Sequence, residues 1–231
     1  VVVTTISDTS TAEDAAFSSN LAGNFTDDDL THGDSLTFSA TQSNGAPIPA
    51  WLSMDPTTGV LSGTPTNDDV GVITLTVIAT DDTGVSTATN FQLTVDNIND
   101  QPVVVTPIAD AAPSEDAPFT YDVSGNFRDD DTVHGDSLTF SAEQSGGTPL
   151  PGWLSIDPAT GILSGTPDSS QAGIPYTIEV TATDASGANI TSTFQLTVDN
   201  VNDAPVLDVT ATPTMTAVAA NATDPAGDTI A

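Results

Sequence analysis

The chain is predicted to be all-β, built as two tandem sandwiches of about seven strands each and the opening of a third. Three observations carry this. Long segments recur almost unchanged about a hundred residues apart, helix signals are nearly missing, and strand-like runs alternate with turn clusters.

The repeat sets the domain size. Phe25–Phe38 reads FTDDDLTHGDSLTF and Phe127–Phe140 reads FRDDDTVHGDSLTF, an offset of 102. Trp51–Pro65 (WLSMDPTTGVLSGTP) and Trp153–Pro167 (WLSIDPATGILSGTP) keep that offset. FQLTVDNIND ends at Asp100 and FQLTVDNVND at Asp203, an offset of 103, so the extra residue lies between Pro167 and Thr183. Such a period is too long for a solenoid repeat, so each copy is a whole domain. The expected domains are 1–100 and 101–203, with 204–231 as the truncated start of a third.

The strands follow from period-two alternation. Val72–Thr80 and Phe91–Val95 in copy one, and Tyr176–Thr183 and Phe194–Val198 in copy two, alternate apolar and polar residues. Gly, Pro, Asn and Asp break them every ten residues or so, the rhythm of an antiparallel sandwich. DNINDQP (Asp96–Pro102) runs directly into Val103–Val105, and DNVNDAP (Asp199–Pro205) into Val206–Val209, each read as a new first strand. No Gly/Ser tether intervenes, so something that ties the junction can hold successive domains rigidly.

Charge narrows the function. The chain has 231 residues and 32 acids against one Lys or Arg, Arg128, for a net charge of −31. It repels nucleic acid and anionic membranes, and it repels itself. Close-set domains therefore need counter-ions, and hard carboxylate oxygens suit Ca2+. With no cysteine, disulfides and thiolate metal sites are excluded. This pairing of acidity with absent cysteine fits an extracellular bacterial protein. No apolar run reaches membrane-spanning length, and the first residues lack the basic and apolar parts of a signal peptide. Export signals and anchors are expected in other segments.

The acids fall into four clusters per copy. They are Glu13–Asp14 with Glu115–Asp116, Asp27–Asp29 and Asp34 with Asp129–Asp131 and Asp136, Asp81–Asp82 with Asp184, and Asp96–Asp100 with Asp199–Asp203. Asp and Asn favour turns, and a single cluster reads as solvated loop acids. Four clusters kept between copies, while neighbouring loop residues changed, favour metal.

These segments resemble the cadherin family, in particular its dystroglycan-type, Ig-like branch in bacterial surface adhesins. DNINDQP is similar to the linker signature D-x-N-D-N-x-P, and FTDDDLTHGDSLTFS to the A-x-D-x-D loop before a strand. WLSMDPTTGVLSGTP resembles the apolar-x-I-D-x-x-T-G-x-I segment, and IATDDTG and TATDASG the A-x-D-x-x-G strand end. The resemblance implies Ig-like Greek-key sandwiches with Ca2+ at the junctions between domains. Its ligands at the first junction would be Glu13, Asn97, Asn99 and Asp100 with Asp129, Asp131, Asp136 and Asp184. At the second they would be Glu115, Asn200, Asn202 and Asp203, with Asp224 and Asp228 as partners. Asp27, Asp29 and Asp81 would serve a preceding domain. The family's D-R-E motif is replaced by Ser62-Gly63-Thr64-Pro65 and Ser164-Gly165-Thr166-Pro167, which removes two carboxylates per junction and implies fewer or weaker sites.

The expected function is a calcium-stiffened adhesion or spacer module, on the cell surface or secreted, and not an enzyme. The partners are calcium, neighbouring domains, and cell-surface glycans or a second adhesin copy. The alternative is a carbohydrate- or partner-binding module in which Trp51 and Trp153 stack on sugars, although such Trp residues more often pack in the core. His32 and His134 lie in acidic loops where calcium prefers oxygen, so they read as hydrogen-bonding loop residues. No nucleophile elbow G-x-S-x-G occurs. Asn24, Asn189 and Asn221 fit the glycosylation sequon, which matters only in a eukaryotic host.

Overall fold

A computed structural model describes residues 4–205. They fold into strands and short 3₁₀ turns, with no α-helix among them. The chain divides into two compact units between Asn99 and Asp100. The expected third-domain opening and its Asp224 and Asp228 lie outside the described residues.

Unit 1 holds β1 (Thr9–Ala12), β2 (Phe17–Asn20), β3 (Thr37–Gln42), β4 (Leu52–Met54), β5 (Val60–Gly63), β6 (Gly71–Thr80) and β7 (Ser86–Asp96). One sheet has the order β1-β7-β6-β3 and the other β2-β5-β4. Neighbours in sequence such as β2 and β3 sit in different sheets, as in a Greek key. All pairs are antiparallel except β1 on β7, which is parallel. Alternation decides which side chains go inside. Leu75, Val77 and Ala79 of β6 and Phe91, Leu93 and Val95 of β7 are buried. Phe17, Leu52 and Leu61 from the second sheet complete the core with Phe25 and Phe38, whose rings meet edge-on at 5.9 Å.

Unit 2 holds β8 (Val103–Val104), β9 (Phe119–Asp122), β10 (Phe127–Arg128), β11 (Thr139–Gln144), β12 (Leu154–Ile156), β13 (Ile162–Gly165), β14 (Pro175–Thr183) and β15 (Asn189–Thr197). Its sheets are β11-β14-β15, β12-β13-β9 and the small pair β10-β8. The counterpart of β1 survives only as isolated parallel bridges, Ala111 to Leu196 and Ser114 to Asp199. The cause is Pro113, which stands where copy one has Thr11 and has no amide to give the ladder. Its carbonyl still accepts from Asp199 N at 2.8 Å.

The SGTP segment has a packing reason. A Cβ on Gly63 would lie 1.9 Å from the Trp51 carbonyl oxygen, and one on Gly165 would lie 1.8 Å from that of Trp153. Both Trp residues are partly buried and pack on the cores of their own units, as the packing reading of these residues expects. Leu163 in β13 is fully buried at the centre of unit 2. Leu163→Ala should therefore cost about 2–5 kcal/mol, read as a lower urea midpoint for that unit.

Candidate functional site

In unit 2, the segment from β10 to β11 makes a 3₁₀ turn, Asp130–His134, that brings acids together. Asp129 begins it with extended backbone, and its Oδ1 accepts the Asp131 amide at 2.8 Å. Gly135 ends it in the left-handed region at φ 104°, where only glycine fits cheaply. The chain then returns to place Asp136, whose amide donates to the Asp131 carbonyl at 3.2 Å. One carboxylate oxygen each from Asp129, Asp131 and Asp136 lies within 4.8 Å of the others. Oxygens that each sit 2.3–2.6 Å from a common calcium ion have about this spread.

Two neighbours complete the surroundings. Asp184, at the end of β14, is buried and accepts the Ala188 amide at 2.9 Å. The Asp100 amide donates to Asp131 Oδ2 at 2.6 Å, so the linker covers the cluster. Asp129 is 3% exposed and Asp131 2%. Each keeps one buried carboxylate oxygen with no hydrogen-bond partner, Oδ2 of Asp129 and Oδ1 of Asp131. Burial first, then the charges of Asp131, Asp136 and Asp184, push the Asp129 carboxyl above its usual range. The chain's one Arg does not relieve this, because Arg128 Nη1 pairs with Asp130 at 3.0 Å in solvent. Buried anionic oxygens without partners are costly, and a hard divalent cation is the chemistry that satisfies them.

Unit 1 arranges the equivalent acids differently. There the oxygens that come within 4.8 Å belong to Asp27, Asp34 and Asp81. All three are partly exposed, and Asp29 points outward with 77% of its side chain exposed. Asp81 takes three hydrogen bonds, from the Thr83 hydroxyl and the Thr83 and Val85 amides, each at 2.8 Å. Those bonds, the hydroxyl foremost, hold its carboxyl below the usual range. Unit 1 therefore shows satisfied, solvated carboxylates where unit 2 shows buried, partly unsatisfied ones.

The remaining candidate residues lie at strand ends. Glu13 and Glu115 are buried, and their Oε1 atoms accept the Ile98 and Val201 amides at 2.8 and 2.7 Å. Asn97, Asn99, Asn200 and Asn202 are exposed. Asp203 is partly buried, and its carbonyl accepts from Asn202 Nδ2 at 3.3 Å. His32 lies by its own loop, with Nδ1 at 3.2 Å from the Thr31 hydroxyl.

The raised Asp129 pKa has a signed consequence. A carboxyl raised in the fold favours folding below its ordinary value of 3.8, and that contribution fades as pH rises through the raised value. In chelator, wild type should thus lose stability relative to Asp129→Asn as pH rises from acid to neutral. Thermal melts of both proteins across that range check it. Calcium affinity should run the other way and weaken in acid, because the ligands must be deprotonated.

Three comparisons bear on the family and the fold. The family profile described as "Putative Ig domain" matches residues 1–96 and again 101–199. A relative from Staphylococcus aureus named Serine-rich adhesin for platelets is 32% identical over 154 residues, 64% of this chain but 6% of its own length. A homologous adhesin from strain MRSA252 is matched over 10% of its length. Human mucin-like protocadherin EC1-2 superposes with a TM-score of 0.59 at 15% identity, over 85% of this chain and 97% of that one. The human desmocollin-1 ectodomain gives 0.51 at 19% identity, over 87% and 40%. At these identities the structures establish the fold alone, and it is the cadherin-like sandwich the sequence motifs imply.

Proposed function

We propose that this chain, which belongs through both repeats to the Putative Ig domain family, is a calcium-binding spacer or adhesion segment of an extracellular surface protein. The observation that carries the calcium is the unit 2 cluster. Asp129, Asp131 and Asp136 bring oxygens within 4.8 Å, and two of their buried oxygens have no partner. When bound, calcium supplies charge neutralisation to this cluster. The chain's part is to hold Asp129 and Asp131 by backbone bonds, and to keep water out with the linker at Asp100.

The finer reading is that Asn97, Asn99, Asp100 and Glu13 contribute further oxygens, so that one site ties successive domains. Asn200, Asn202, Asp203 and Glu115 would repeat this for a following domain, and Asp27, Asp34 and Asp81 for a preceding one. The linker motif and its resemblance to cadherin linkers support this. Without ion, the acids repel and successive domains swing; with it, the array stiffens. Small-angle scattering tests the point. Calcium should lengthen the wild-type particle and leave Asp131→Ala unchanged, and equal lengthening of both would overturn the reading. The surface location and a non-catalytic role rest on the likeness to staphylococcal adhesins, whose platelet partner belongs to those proteins.

A second reading has one observation behind it. In unit 2 a shallow groove is lined by Pro151, Trp153 and Tyr176 with Asp168 and Gln171 at hand, an apolar floor with polar groups suited to a neutral sugar. Copy one has Ile73 in place of Tyr176. Glycan retention lost in Tyr176→Ala, with the fold intact, would favour it.

A further inference from the structure

From the geometry at the base of each unit, we infer that Glu13 and Glu115 are calcium-independent latches that fix where the following linker leaves its domain. This deepens the reading above by assigning these residues a positioning role before any ion binds. The same construction appears twice, within each unit. The Glu13 amide donates to the Asp96 carbonyl at 3.0 Å, and the Glu115 amide donates to the Asp199 carbonyl at 3.0 Å. The next residue turns sharply. Asp14 at φ 54° and Asp116 at φ 56° are the non-glycine residues with positive φ among those described. That conformation is sparsely populated and persists where surroundings enforce it. Here the enforcement is a bond from each Asp amide to Pro65 or Pro167 at 2.8 Å.

The kink leaves each Glu carboxylate buried against the outgoing linker. Glu13 Oε1 accepts the Ile98 amide, and Glu115 Oε1 accepts the Val201 amide. Ile98 and Val201 are themselves exposed side chains, 52% and 44%, so apolar burial does not hold them. The hydrogen bond to a buried carboxylate does, and bonds to charged groups are the stronger kind. Glu115 has its second oxygen, Oε2, buried without a partner. One carboxylate can therefore hold the linker with one oxygen and keep the other for a cation.

The latch orders the linker amides one by one. The Ile98 amide is held within unit 1 by Glu13, and the Asp100 amide within unit 2 by Asp131. These linker amides are then ordered before calcium arrives, and the ion has less entropy to overcome.

Residue-resolved hydrogen exchange of the whole chain in chelator tests this. The Ile98 and Val201 amides should exchange about ten- to a hundredfold more slowly than in an open linker, the protection expected of a charge-assisted bond. Glu13→Ala and Glu115→Ala should remove that protection. Glu13→Gln and Glu115→Gln should keep much of it, because the amide oxygen still accepts. Exchange of Leu93 and Leu196 serves as the fold control. Unprotected Ile98 and Val201 in wild type, or protection that survives the Ala variants, would overturn the latch. Failure to bind calcium with the protection intact would overturn the calcium reading and leave the latch standing.

Discussion

Asp131→Asn is expected to weaken calcium binding at the unit 2 cluster by at least about tenfold and to remove most of calcium's stabilisation of that unit. The change keeps shape and removes charge. It acts where one oxygen is buried without a partner and the other accepts the Asp100 amide. In wild type, calcium at a hundred times its Kd adds about 2.7 kcal/mol. For a domain of this size, that is roughly 10–20 °C in Tm. In chelator the order should reverse, and the variant should melt no lower than wild type, because it relieves repulsion with Asp129 and removes one of three carboxylates whose oxygens lie within 4.8 Å. Differential scanning calorimetry with and without calcium reads both arms. Asp29→Asn, at the exposed equivalent position in unit 1, should do little to either.

Gly165→Ala should be the most damaging single methyl group in unit 2. Its Cβ would meet the Trp153 carbonyl oxygen at 1.8 Å and carbon at 2.9 Å, both backbone atoms that cannot swing aside. Overpacking of a well-packed core costs about 1–3 kcal/mol, and a clash with backbone belongs at or above the top of that range. Adjacent strands would have to separate, since Gly165 pairs with both Leu154 and Phe119. Chemical denaturation should show a loss of about 3 kcal/mol or more. Gly152→Ala, with open space around its Cβ, is the matched control and should be near neutral.

What the sequence made legible follows from what repeats and alternates. The alternation in Val72–Thr80 and Tyr176–Thr183 corresponds to β6 and β14, because one face of each is buried and period two records it. The acidic loops were visible because copies diverged around them. Burial was not visible. FTDDD and FRDDD are nearly the same string, yet Asp29 is exposed and Asp131 is buried. The difference comes from long-range bonds such as Asp100 to Asp131, which no local pattern encodes. The broken first strand of unit 2 had a signal in Pro113, readable only by aligning the copies. The Glu13 and Glu115 bonds to the linkers had none, because they span 85 and 86 residues.

Calcium binding by the unit 2 cluster is read most directly in a calorimetric titration of the chelator-stripped chain, set beside Asp129→Asn/Asp131→Asn. Wild type should bind saturably, with a Kd of about 10⁻⁴–10⁻³ M or tighter, and the double variant should lose that binding event. No saturable heat up to about 10⁻² M calcium, tenfold beyond that range, would contradict it. So would binding that the double variant leaves unchanged.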